Sequence, residues 1–199
     1  MSNLIALPAP QKDLKFPLMR ALENRRSLRK WKDEPLSEQE LSNLLWAACG
    51  ITQEATKNAK CKRTAPSACN SQEIKVYVAT RDGAFLYDEV NHQLVPKRSG
   101  SLMEHIGTQK MMHSAPVGLI YVADFSKMTN FLYKSDDERW FMATTDTGFI
   151  SQNVYLYCAT GNLSTVVLGL VKRDKLHDLM GLEECEKIVF TQVVGRSLD

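Results

Sequence analysis

No long run of one charge, no bilayer-length apolar stretch and no paired-cysteine motif occurs in this chain. Lysine plus arginine number 25 against 23 acidic residues, for a net charge of +2 and a pI near 8.2. Without a basic stripe interleaved with aromatics, a nucleic-acid partner is not expected. The apolar runs are too short to span a bilayer, which removes a helical membrane anchor from the expected class. Met1 to Pro10 lacks a basic start followed by an apolar stretch, so no signal peptide is expected and a cytoplasmic location is. The five cysteines (Cys49, Cys61, Cys69, Cys158 and Cys185) form no CxxC pair and no Cys/His cluster with zinc spacing. They read as free thiols of a reducing compartment. The four histidines are scattered. His105 and His113, eight residues apart, can share a helix face, but no carboxylate or third ligand is patterned with them. No metal site is expected. Also missing are a phosphate loop of Walker type, a GxGxxG after a strand, a GxSxG elbow and any assignable Ser/His/Asp trio.

What is present is an ordinary globular composition, 44% hydrophobic and 24% charged over 199 residues, enough for one domain with a substantial core. Residues 1–16 carry two prolines, Pro8 and Pro10, without periodicity and read as an extended arm. Phe16 to Arg26 reads as a helix with an apolar stripe of Leu18, Met19 and Leu22. Ser37 with Glu40 forms a capping-box signature ahead of a helix over Glu38–Cys49, closed by Gly50. Residues 52–64 are polar and lysine-rich and read as a mobile loop. Strands are expected over Glu73–Thr80, a hairpin over Ala84–Val90 and Gln93–Lys97, a central strand over Val117–Ala123, and further strands over Val166–Leu170 and Lys187–Val194. Helices are expected over Ser101–Ser114, Asp136–Thr160 and Arg173–Met180. The acidic run Asp136-Asp137-Glu138 serves the helix dipole. This alternation gives an α+β or α/β class.

Two short segments carry the chemistry. Arg25-Arg26-Ser27-Leu28-Arg29 has two readings: a solvated basic helix end, or guanidinium groups and a hydroxyl converging on one phosphate. Thr64 to Gln72 is also double. It is a polar turn, or a loop of small residues whose amides and side chains lie along a flat heteroaromatic ring.

Together they are more specific. Arg-Arg-Ser-x-Arg, then Pro-Leu-Ser-x-x-x-Leu-x-x-Leu-Leu-Trp-Ala-Ala, then Ala-Pro-Ser-Ala-x-Asn resembles the nitroreductase-like flavoproteins. The stretches Leu44–Ile51 and Arg63–Ala68 are similar to the branch holding the azoline oxidases. Phe149–Leu156, Ser164–Gly169 and Val193–Arg196 agree, so the match runs from Leu18 to Arg196. The resemblance implies an α+β fold, a central mostly antiparallel sheet surrounded by helices, with residues 17–199 as one FMN-binding domain behind the arm. It implies an intertwined homodimer with FMN at the interface, reduced by NADH or NADPH and passing two electrons to a small-molecule acceptor such as a nitroaromatic or quinone. Arg25, Arg26, Ser27 and Arg29 match the phosphate and ribityl positions. Pro66, Ser67, Ala68 and Asn70 match the loop against the ring, reaching in from the other subunit. Leu168 and Gly169 match the turn at the flavin's reactive edge, and Arg196 a second phosphate-side cation. No catalytic side chain is implied, because the flavin carries the chemistry. Helix 136–160, with small residues among bulky ones, fits a dimer interface or an ordinary core. Cys69 stands where relatives often have Gly. Azoline oxidases carry a Lys-Tyr pair near the active site; Tyr133-Lys134 is in reverse order here, which counts against azoline oxidation. The alternatives are a flavin dehydrogenase specific for a peptide or metabolite, and a flavin-binding module without turnover.

Overall fold

Val117 to Asp124 is buried at every position and forms an interior strand, fifth of seven, in the main sheet. The computed structural model describes residues 4–131 and 133–198; residues 1–3 of the expected arm, residue 132 and residue 199 lie outside the described residues. The strands are β1 Ile5–Ala6, β2 Ile51–Gln53, β3 Lys62–Arg63, β4 Ile74–Ala79, β5 Gly83–Asp88, β6 Gln93–Ser99, β7 Val117–Asp124, β8 Leu163–Leu168 and β9 Glu186–Arg196. The helices are α1 Leu18–Asn24, α2 Glu38–Cys49, α3 Asp136–Thr160 and α4 Arg173–Met180. The sheet order is β1-β6-β5-β4-β7-β9-β8, and every pairing among the described residues is antiparallel. This settles the class as α+β.

Alternation along β7 divides the core. Val117, Leu119, Tyr121 and Ala123 join the α2 and α3 layer, while Ile120 and Val122 face a second cluster with Ile106, Met112 and Leu176. A sheet covered on both faces accounts for the unbroken apolar run.

The capped helices form where expected. Ser37 Oγ accepts from the Glu40 N–H at 3.2 Å while Glu40 accepts from the Ser37 N–H at 2.7 Å, and Leu44, Leu45 and Ala48 are fully buried. Ser135 and Glu138 repeat the box at the start of α3. Gly50 closes α2 by allowing a close approach: a Cβ there would lie 2.2 Å from the Trp46 ring.

Three expectations change. The first helix covers only Leu18–Asn24, and its stripe faces outward: Leu18, Met19 and Leu22 are exposed and Ala21 alone is buried. Residues 52–64 include part of a two-stranded hairpin, β2 with β3, plus a bridge between Thr56 and Ala59. Residues 101–114 form two short 3-10 turns, Met103–His105 and Lys110–Ser114, in place of one helix. Between them Gly107 presses on β8, where a Cβ would meet Leu168 Cδ1 at 2.8 Å.

Candidate functional site

The arginine run leaves α1 and is stitched onto β8. The Leu28 N–H donates to the Thr165 carbonyl at 3.0 Å. Tyr155, on α3, anchors the rest. Its hydroxyl accepts the Val167 N–H at 3.0 Å and lies 3.0 Å from Ser27 Oγ, and the Arg25 guanidinium stands 5.5 Å over its ring. Arg26 Nη1 donates to the carbonyls of Glu23 and Arg25, at 2.6 and 2.9 Å, so this one arginine serves its own helix end. No ion pair among the described residues involves Arg25, Arg26 or Arg29.

Arg29 shares a cleft of about 180 Å³ with Thr108, Leu168, Gly169 and Leu170. Gly169 is not in a left-handed conformation, and a Cβ built on it would find only Phe190 Cε1, at 3.9 Å. Neither the backbone nor packing within the chain demands glycine here. A Cβ would fill open space at the cleft, so the position suits a flat group laid against the backbone.

The Pro66–Asn70 loop is strained and clamped. Cys69, Asn70 and Gln72 take φ values of 53°, 51° and 53°, the left-handed region that favours glycine. Ser67 Oγ accepts from the Gln72 N–H at 2.9 Å, and Asn70 Nδ2 donates to the Cys61 carbonyl at 3.1 Å, so both polar side chains are engaged within the chain. Pro66 and Cys69 are exposed. The Ala68 peptide is gripped from both sides. Its N–H donates to Asp146 Oδ2 at 2.8 Å, and its carbonyl accepts from Tyr133 Oη at 2.8 Å and Ser71 Oγ at 2.7 Å. Below it Glu73 is fully buried with neither carboxylate oxygen hydrogen-bonded. Burial, with the neighbouring Asp146 carboxyl adding to it, pushes Glu73 up to about 7, and burial also raises Asp146. Asp146, Tyr133 and Glu73 were not among the expected site residues. The one signal was an aspartate among the small residues of α3.

Asp146 and Tyr155 are nine residues apart on α3. That places the loop and the arginine run on opposite faces, roughly 13 Å apart along the axis. Within one chain they do not form one pocket. Arg196 is also placed elsewhere. It donates to Glu40 at 2.7 Å and lies 3.9 Å from Glu34, so two carboxylates hold the charge that the resemblance assigned to a phosphate. His105 and His113 stand on separate turns and line one cavity beside Gly107.

The family model described as "Nitroreductase family" matches residues 22–196. A protein from Methanocaldococcus jannaschii, provisionally named a nitroreductase, is 28% identical over 189 residues, covering 89% of this chain and 90% of its own. The "FMN reductase [NAD(P)H]" of Bacillus subtilis is 24% identical over 92% of this chain and 66% of its own length. A crystal structure from Ralstonia eutropha JMP134, also provisionally named a nitroreductase, superposes with a TM-score of 0.89 at 35% identity, covering 100% of this chain and 91% of the other.

Proposed function

Because this chain belongs to the nitroreductase family, we propose that it is an FMN-dependent oxidoreductase acting as a homodimer, with NADH or NADPH as electron donor and a nitroaromatic, quinone or similar flat acceptor. The observation that carries this reading is the cleft that Arg29 lines together with the open backbone of Gly169. Arg25 and Arg29 would hold the phosphate and Ser27 the ribityl chain. Leu168 and Gly169 would lie against the ring. Bound FMN supplies the two-electron chemistry. Tyr155 orients Ser27 and Arg25 together, through one hydroxyl and one ring face. Pro66, Ser67, Ala68 and Asn70 would cover the ring from the partner subunit, since α3 separates them from their own arginine run. In that role the clamp on Ala68 fixes the loop before the flavin arrives, reducing the ordering cost of binding.

Gly169→Val tests the cleft directly. A Cβ at this position meets only Phe190 Cε1, at 3.9 Å, and the methyls beyond it occupy the cleft, so the variant is expected to fold but to take up FMN at least about tenfold more weakly by fluorescence titration. Wild-type flavin affinity in that variant overturns the assignment.

A further inference from the structure

Beside the Arg29 cleft lies a larger basin of about 530 Å³, within the size range of small-molecule sites. Gly107 and Thr108 line both cavities, so only one stretch of backbone separates them. Lys110, Lys172 and Lys175 line the basin against the single carboxylate of Glu104. That is a surplus of two positive charges, equal to the net +2 of the entire chain. None of the three lysines makes an ion pair or a side-chain hydrogen bond among the described residues, whereas Lys75 and Lys127 do. His105 and His113 complete the wall, and His113 is fixed by a 2.9 Å contact of its Nε2 with the Gly107 carbonyl. Burial and the Lys175 charge both hold His105 below the usual histidine range, which fits a crowded cationic wall. Free ammonium groups around a concave space, next to the flavin-edge turn, form a receptor for an anion.

We propose that this basin binds a phosphate group of a molecule that reacts at the flavin, and thereby selects phosphate-bearing reactants over their unphosphorylated counterparts. The inference rests on the flavin reading above and assigns that site its charge preference. Two sources share the chemistry, the nucleotide donor and a phosphorylated acceptor, and matched pairs separate them. NADPH and NADH differ by one phosphate, as do free FMN and riboflavin used as acceptors.

The experiment is steady-state kinetics of the FMN-loaded dimer, with Lys172→Gln/Lys175→Gln, Glu104→Gln and, as a distant control, Lys57→Gln. In the lysine double variant KM for the phosphorylated member of one pair rises roughly tenfold, the scale of losing charge-assisted contacts. KM for its counterpart, and kcat, stay within about twofold. Glu104→Gln moves the same KM downward, by about two- to threefold, and Lys57→Gln moves nothing. A change in the first pair identifies the donor; a change in the second, the acceptor. Equal KM shifts within both pairs, or none, overturn the proposal. Calorimetric titration with inorganic pyrophosphate reads the basin without flavin. A Kd weakened by roughly tenfold in the double variant supports the site, and a Kd identical to wild type overturns it. Protein that takes up no FMN while its basin binds pyrophosphate refutes the flavin reading alone.

Discussion

Cys69, in the Pro66–Asn70 loop, and Glu73, buried below it, each carry a cost that a single substitution can read. At φ 53°, Cys69 pays the left-handed penalty of an L-residue, about 1 kcal/mol or more. Cys69→Gly is therefore expected to be neutral or stabilising by up to ~1 kcal/mol, because relieved strain is partly offset by a freer unfolded chain. Cys69→Val, β-branched at the same angle, should lose ~2 kcal/mol, and urea denaturation of the two variants checks the sign of each. Glu73 sets a pH dependence. Its folded value, raised to about 7 from an ordinary 4.5, means that the folded protein holds this proton more tightly than the unfolded chain. The stability so contributed is complete below about 4.5 and is lost as pH rises through about 7. The groups facing it are Asp146, whose carboxylate raises Glu73, and Arg63, whose charge lowers it. Removing the titration with Glu73→Gln should flatten the stability profile between pH 5 and 8 by an amount on the order of 2 kcal/mol. Parallel wild-type and variant curves of urea midpoint against pH would refute this account.

Among the elements, the helices with local punctuation were the legible ones. Ser37-x-x-Glu40 marks α2 to the residue, and α3 and α4 run over the expected bounds. Ser37→Ala is expected to lose about 1 kcal/mol, seen as a lowered melting temperature, since it strips one half of the box. Where an element depends on a distant neighbour, local pattern misleads. Residues 101–114 have the apolar content of a helix, but Gly107 must lie flat on Leu168, and the segment breaks into two turns around it. The β2–β3 hairpin is too short to show alternation. The same division holds at the candidate site. Arg25 to Arg29 and Leu168-Gly169 could be read as motifs, and Arg29 does line one cleft with Gly169. The Ala68 clamp could not be read, because its partner Asp146 lies 78 positions away. Nor could the pairing of Arg196 with Glu40, across 156 positions.

At the scale of the whole molecule, the outward stripe of α1 finds a use. Leu18, Met19 and Leu22 are exposed there, and so are Phe141 and Phe149 on α3, the helix that α1 packs against. Apolar side chains left in water on two touching helices fit the proposed dimer. Leu22→Arg should shift the protein to monomer by sedimentation velocity and lower flavin content in proportion; a flavin-loaded monomer would contradict the shared site. The opposed faces of α3 then have a genetic consequence. If each flavin takes its arginines from one chain and its ring loop from the other, two different cripples can rescue one another. An Arg25→Ala chain and an Asp146→Leu chain are each inactive as homodimers. Co-refolded in equal amounts, half of the dimers are mixed, and each mixed dimer owns one wholly intact site beside one doubly damaged site. About a quarter of wild-type activity should return from two inactive preparations.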